Sequence, residues 1–214
     1  MPPREEILDA AACLFVNQGF AGTSTREIAE AVGIRQASLY HHFQNKDEIL
    51  EELLLLSVRP SLDIFEKIEV ECPGEVPEAT LYLLALIDVD TLARVPHNIG
   101  KLYAMPDVMM NVVYGQFQPA RRELADAYGR LGAKVVSERV AATVSIKQLG
   151  GILIEQAETV IRSRADGDKV GRAEADAIAA ACLRVCGVPQ DRIDQAAAIA
   201  SDLMSALIEE RCTQ

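Results

Sequence analysis

The chain reads as an all-α protein, and two observations predict it. Apolar residues recur at three- and four-residue spacing in nearly every stretch between the Gly- and Pro-marked breaks. Half of the 214 residues are apolar, yet only 5% are aromatic and Trp is absent. With abundant Ala and Leu, that composition suits closely packed helices better than a β-sandwich. The length fits either one medium domain or a small domain carried on a larger one.

Taken in order, Pro2 and Pro3 suit a helix start, and Ile7, Leu8, Ala11, Leu14 and Phe15 repeat at helical spacing until Gly19. Ser24 then stands as an N-cap, and Glu27 completes a capping box ahead of the apolar stripe Ile28, Ala29 and Val32. Gly33 closes that helix, as a residue tolerant of positive φ should. Only Gly33, Ile34 and Arg35 separate it from a further helix whose inward face is Leu39 and Phe43. Two short helices across so tight a turn make a helix-turn-helix.

The outer side of that second helix carries Arg35, Gln36, Ala37 and Ser38, whose chemistry suits a DNA major groove. Gln pairs with adenine, Arg with the guanine acceptors, and Ala or the Ser methylene touches a thymine methyl. Tyr40, His41, His42 and Lys46 are positioned to bond phosphates. Adjacent helical residues diverge by about 100°, so His41 and His42 are read as hydrogen-bonding side chains and not as metal ligands.

Thr25-Arg26, Ile28-Ala29, Val32-Gly33, the run Leu39-Tyr40-His41-His42-Phe43 and Asn45-Lys46 resemble the TetR family of bacterial transcriptional regulators. The resemblance covers about the first fifty to sixty residues. It implies that Thr25, Arg26, Gln36, Ala37, Ser38, Tyr40, His41, His42 and Lys46 meet DNA. Arg35 stands where many relatives carry a small N-cap residue. The implied architecture is a three-helix DNA-binding domain at residues 1–46, followed by a larger helical ligand-binding and dimerisation domain at 47–214.

Asn45 with Glu48 forms a second capping box, opening a connecting helix along Ile49, Leu50, Leu53, Leu54 and Val58, with a kink or restart at Pro60. A loop is expected from Glu69 to Pro77. The next helix, from about Glu78 to Arg94, lines one side with Leu81, Leu84, Ala85, Asp88 and Leu92. Asp88 and Asp90 are read first as exposed acids; a buried acid there would need a cationic ligand or an internal Arg. Between His97 and Phe117 the composition suits an adaptable ligand pocket or an ordinary core, and the pocket candidates are Asp88, His97, Tyr103, Met109, Met110, Tyr114 and Phe117.

Residues Pro119 to Val140 continue as a charged helix, and Val144 to Ile161 form an amphipathic one interrupted by Gly150-Gly151. Each glycine costs about 1 kcal/mol relative to Ala in a helix, so a close helix contact or a local bend is expected. A loop from Ala165 to Gly171 precedes two helices joined at Gly187-Val188-Pro189. Their small-residue faces offer a dimer interface at Ile178, Cys182, Ile193, Ala196, Ala200, Leu203 and Leu207, with packing inside one copy as the alternative.

The net charge is −11, and residues 1–50 carry four basic against seven acidic side chains, a balance of −3. Any positive face is therefore local. The five cysteines include no CxxC pair and follow no signal peptide, which points to a reduced cytoplasm without a metal or other cofactor. No apolar run reaches the roughly twenty residues of a membrane span. With no GxSxG, Walker loop, HExxH or dinucleotide fingerprint, an enzyme is not expected. The function expected is a homodimeric repressor that leaves a palindromic operator in double-stranded DNA when a small-molecule effector binds. The alternative is an acidic helical protein-interaction module with little DNA affinity.

Overall fold

The computed structural model describes residues 4–71 and 76–212, and all regular structure among them is helical. Pro2, Pro3 and the stretch Cys72–Glu75 of the expected loop lie outside the described residues. No helix among the described residues is long and apolar enough to cross a membrane. By its contacts the chain divides into two compact units: residues up to Arg59 with Arg94–Arg121, and Pro60–Ala93 with Arg122 onward. The connecting helix expected after residue 46 lies wholly within the first of these.

The first unit opens with α1 (Arg4–Gln18), which buries Ile7, Leu8, Ala11, Ala12 and Phe15. Two helices complete the reader, α2 (Thr25–Ala31) and α3 (Gln36–Leu39), and α4 (Lys46–Leu56) is the connecting helix. The Asn45 side chain accepts from the Glu48 N–H at 2.8 Å, but the Glu48 carboxylate reaches past Asn45 to the Gln44 N–H. The second capping box is thus only half formed. Ser57 ends α4, and α5 (Arg59–Glu71) restarts with Pro60 in its first turn, where a missing N–H breaks no helical bond. The break expected from Glu69 begins later, because Glu69, Val70 and Glu71 contain no helix breaker.

A 3₁₀ segment (Pro96–Ala104) and the short α7 (Pro106–Met109) follow later in the chain yet belong to the first unit. Polar bonds tie this stretch to the reader. His97 Nε2 lies 3.1 Å from Asp9, Asp107 accepts from the Ala21 N–H at 2.7 Å, and Asn111 donates to Asp47 at 2.8 Å. The Tyr103 hydroxyl meets Ser57 Oγ.

In the second unit, α6 (Pro77–Arg94) is buried at every residue from Glu78 to Val89, not along one stripe, as befits a helix whose apolar residues spread around most of its circumference. Asp88 is only 1% exposed, which overturns its reading as an exposed acid; it accepts from Ser61 Oγ at 2.9 Å and from the Tyr128 hydroxyl at 3.1 Å. Burial and the neighbouring Asp88 charge push the Tyr128 phenol well above its ordinary range. Asp90 is half-buried.

The helix expected from Pro119 starts earlier: α8 runs Val112–Val135 with Pro119 inside it. Proline cannot donate to the carbonyl four residues back, but that carbonyl belongs to the exposed Gly115, where water can replace the bond. The same helix stops before Val140. Ser137 caps the short α9 (Glu138–Ala141), and a Ser145–Gln148 capping box opens α10 (Ile146–Ala165). A Cβ on Gly150 would stand 2.2 Å from the Ala125 carbonyl oxygen and 3.1 Å from Gly129 Cα, so α8 and α10 touch backbone to backbone there. Gly151 faces open space, and nothing in the structure explains it.

The chain closes with α11 (Arg172–Val185) and α12 (Gln190–Cys212). Cys182, Ile193, Ala196 and Ala200, expected at a subunit interface, are buried within the single chain. Ile178 and Leu203 are half-buried, and the side chain of Leu207 lies outside the described residues. Burial pushes the Cys182 and Cys186 thiols up to about 12 and about 11, which makes both inert apolar fillers.

Gly150→Ala should destabilise the protein by about 1–3 kcal/mol through overpacking. Gly151→Ala should stabilise it by up to about 1 kcal/mol through helix propensity. Urea denaturation of the two variants checks this pair.

Candidate nucleic-acid interface

The reader is assembled from local rules. The Glu27 N–H donates to Ser24 Oγ at 3.2 Å, while the Glu27 carboxylate accepts from the Ser24 N–H at 2.7 Å, so both halves of the expected box are present. Hydrogen bonds from the Ser24 side chain and backbone hold the Glu27 carboxyl below its usual range. Gly33 sits at φ +70°, a conformation that lets the Ile34 N–H close back on the Ala29 carbonyl at 2.9 Å. The chain therefore leaves α2 and enters α3 within three residues.

Two buried side chains fix α3. Leu39 and Phe43 are fully enclosed, as their spacing predicts. The Arg4 guanidinium lies 4.0 Å over the Phe43 ring, bonds the His42 carbonyl and pairs with Glu52. Phe43 packs just beyond the helix: its N–H still bonds the Leu39 carbonyl, but His41 and His42 close tighter three-residue turns.

The residues proposed from sequence divide by placement. Arg35, Gln36, Ala37, Tyr40 and His41 are exposed, and Thr25 and Ser38 are half-buried. Arg35 is the N-cap of α3, with an extended backbone and no side-chain capping bond, so its guanidinium is not occupied with capping. Arg26 is exposed but pairs with Glu30 at 2.8 Å, an i,i+4 contact that its spacing could have revealed. His42 is half-buried, and its Nε2 is enclosed without a hydrogen-bond partner. Only Nδ1 of that ring remains to reach a phosphate.

Lys46 has a structural task that the sequence did not reveal. Its ammonium donates to the Phe20 and Thr23 carbonyls at 2.7 and 2.8 Å and lies 4.2 Å from the Phe20 ring centre. It thereby pins the turn that delivers Ser24 to the head of α2. An ammonium has three hydrogens, so one remains for an outside acceptor.

Three of the pocket candidates form an aromatic group. Tyr103 stacks on Phe117 with ring centres 5.2 Å apart, and Tyr114 joins them at 6.2 Å. His97 is bonded to Asp9, Met109 and Met110 are exposed, the latter by 87%, and Asp88 belongs to the core of the second unit.

A capped helix, a glycine turn and a short exposed helix standing on an aromatic anchor define a helix-turn-helix DNA-binding domain. Residues 7–53 match the model of the bacterial regulatory proteins of the tetR family, and the chain belongs to that family of DNA-binding transcriptional regulators. The structure is similar over 95% of each chain to the crystal structure of Mycobacterium smegmatis AmtR, with a TM-score of 0.81 and 37% identity. The HTH-type transcriptional repressor KstR2 of Rhodococcus jostii is 40% identical over 91 residues, which are 42% of this chain and 43% of that protein. The chain thus aligns with less than half the length of KstR2. The negative transcriptional regulator IcaR of the Staphylococcus aureus biofilm operon icaADBC is 28% identical over 142 residues, covering 63% of this chain and 74% of IcaR.

Lys46→Met keeps the aliphatic stem over Phe20 and removes the donors. It should cost about 1–3 kcal/mol of unfolding free energy with no DNA present, because two turn carbonyls lose their partner. Arg35→Ala should stay within about 0.5 kcal/mol of wild type. Thermal unfolding of the isolated variants measures both.

Proposed function

We propose that the protein is a homodimeric repressor that holds a palindromic DNA operator and leaves it when a small-molecule inducer binds the helical body. The observation that carries this reading is the exposed edge of α3. Gln36, Ala37 and Tyr40 stand clear of the surface while Leu39 and Phe43 lock the helix from beneath. A rigid edge of small and amide-bearing side chains has the shape and hydrogen-bonding capacity to enter a major groove. The relatives named as repressors or negative regulators support the sign of the effect.

In this account Arg35, Gln36, Ala37 and Ser38 read bases. Thr25, Arg26, Tyr40, His41, His42 through Nδ1, and the third hydrogen of Lys46 hold phosphates and set the register. Two readers related by a two-fold axis would enter successive major grooves about 34 to 36 Å apart. The inducer must prefer a non-fitting arrangement by several kcal/mol, and by reciprocity operator DNA must weaken inducer binding by the same factor. A cytoplasmic location follows from contact with DNA in a bacterial cell.

Selection of bound duplexes from a random pool at near-physiological salt, with the solution mass recorded alongside, tests the proposal. An inverted repeat bound by a dimer is the expected result; absence of enrichment would defeat it. At the selected site, Gln36→Ala should alter base preference by about 1–3 kcal/mol. Lys46→Ala should weaken all sequences alike and lower the salt slope by about one unit. Equal, sequence-blind losses from both would contradict these roles.

A further inference from the structure

The geometry points to Gln36 reading DNA through its side-chain oxygen alone, as an acceptor from the exocyclic amino group of adenine or cytosine, because Thr25 and Tyr40 hold its amide hydrogens. This deepens the proposed function and rests on Gln36 being a base reader.

Three polar atoms form a closed triangle on the exposed edge of the reader. Gln36 Nε2 lies 2.8 Å from Thr25 Oγ1 and 3.3 Å from the Tyr40 hydroxyl, and the two hydroxyls are 3.1 Å apart. Each corner has a fixed base. Thr25 is the first residue of α2, directly after the Ser24 cap. Tyr40 follows the buried Leu39 and lies one helical turn beyond Gln36, on the same face.

Counting hydrogens decides which way the amide faces. With its oxygen turned inward, Gln36 would draw on both hydroxyl hydrogens. The 3.1 Å contact between Thr25 and Tyr40 would then have none, since each hydroxyl carries one. With its nitrogen inward, the two amide hydrogens serve the two hydroxyls. One hydroxyl hydrogen closes the third side, and the other is left over for a phosphate. Only this arrangement satisfies all three contacts.

The consequence concerns specificity. Bidentate recognition of adenine needs an amide N–H on N7 as well as the amide oxygen accepting from N6. Here the nitrogen faces the protein and the oxygen faces solvent. Guanine offers only the acceptors O6 and N7 in the major groove, so an outward oxygen meets no donor on it. Thr25 and Tyr40 are therefore positioning residues for base choice, in addition to any phosphate they hold.

The test begins with selection by wild type and by Gln36→Ala, which identifies the base pair whose preference depends on Gln36. If no pair depends on it, Gln36 is no base reader, and both this inference and that part of the proposed function fail. At the dependent pair, two analogues separate the modes: a 7-deazapurine, which lacks the N7 acceptor, and a base lacking the exocyclic amino group. Wild type should tolerate the 7-deazapurine within about twofold and lose roughly tenfold when the amino group is removed, the scale of one hydrogen bond. A loss on the 7-deazapurine as large as that on amino removal would overturn the inference while leaving Gln36 a base reader. Tyr40→Phe combined with Thr25→Ala frees the amide and should create sensitivity to the 7-deazapurine, whereas Thr25→Ser should not. Failure of that sensitivity to appear would remove Thr25 and Tyr40 as its positioning groups.

Discussion

A helix of four residues has no stability of its own, since the cost of fixing its first turn exceeds what its few hydrogen bonds return. That α3 exists at all depends on the burial of Leu39 and Phe43 beneath it. The supports around these anchors are cationic: Arg4 covers the Phe43 ring and bonds the His42 carbonyl, and Lys46 clamps the turn before α2. Two of the four basic residues in the first fifty are thereby committed largely to architecture, and Arg26 is paired with Glu30. The reader's acidic balance is less paradoxical in this light. The edge proposed to meet DNA is built from amide, hydroxyl and imidazole groups, with Arg35 as the cation not tied into the fold by a cap.

Local patterns in the sequence were a sound guide wherever the governing interaction spans a few residues. The Ser24–Glu27 box, the Gly33 turn, the Leu39–Phe43 anchor and the restart at Pro60 are all short-range, and all are found in the structure. The Asn45–Glu48 box shows the limit of such rules. Glu48 had two backbone donors within reach and took Gln44 over Asn45. The exposure of Gln36, Ala37 and Tyr40 was legible for the same reason, because side chains on one short helix share a face by period alone.

What was not legible depends on residues far apart in the chain. Asp88 is buried because Ser61 and Tyr128, 27 and 40 residues away, supply hydroxyls to it. The composition from His97 to Phe117 reads as a pocket or an ordinary core, and gives no sign that His97, Asp107 and Asn111 bond Asp9, Ala21 and Asp47 in the reader. Ile193, Ala196 and Ala200 on α12, like Cys182 on α11, belong to apolar stripes of the kind any long helix needs, and periodicity cannot say whether the cover is the same chain or a second copy. For the Gly150-Gly151 pair either a close contact or a bend was expected; Gly150 makes the contact, opposite Gly129, and Gly151 does not; the partner glycine was invisible without the fold.

The central claim is that the α3 edge is the surface that meets base pairs in the major groove. The most direct measurement places a small diazirine-bearing residue at Ala37, on that edge, and in a second variant at the exposed Met110, and irradiates each with the selected operator. The account predicts covalent adducts on operator bases from position 37 and none from position 110. Base adducts from 110, or none from 37 while the duplex stays bound, would contradict it.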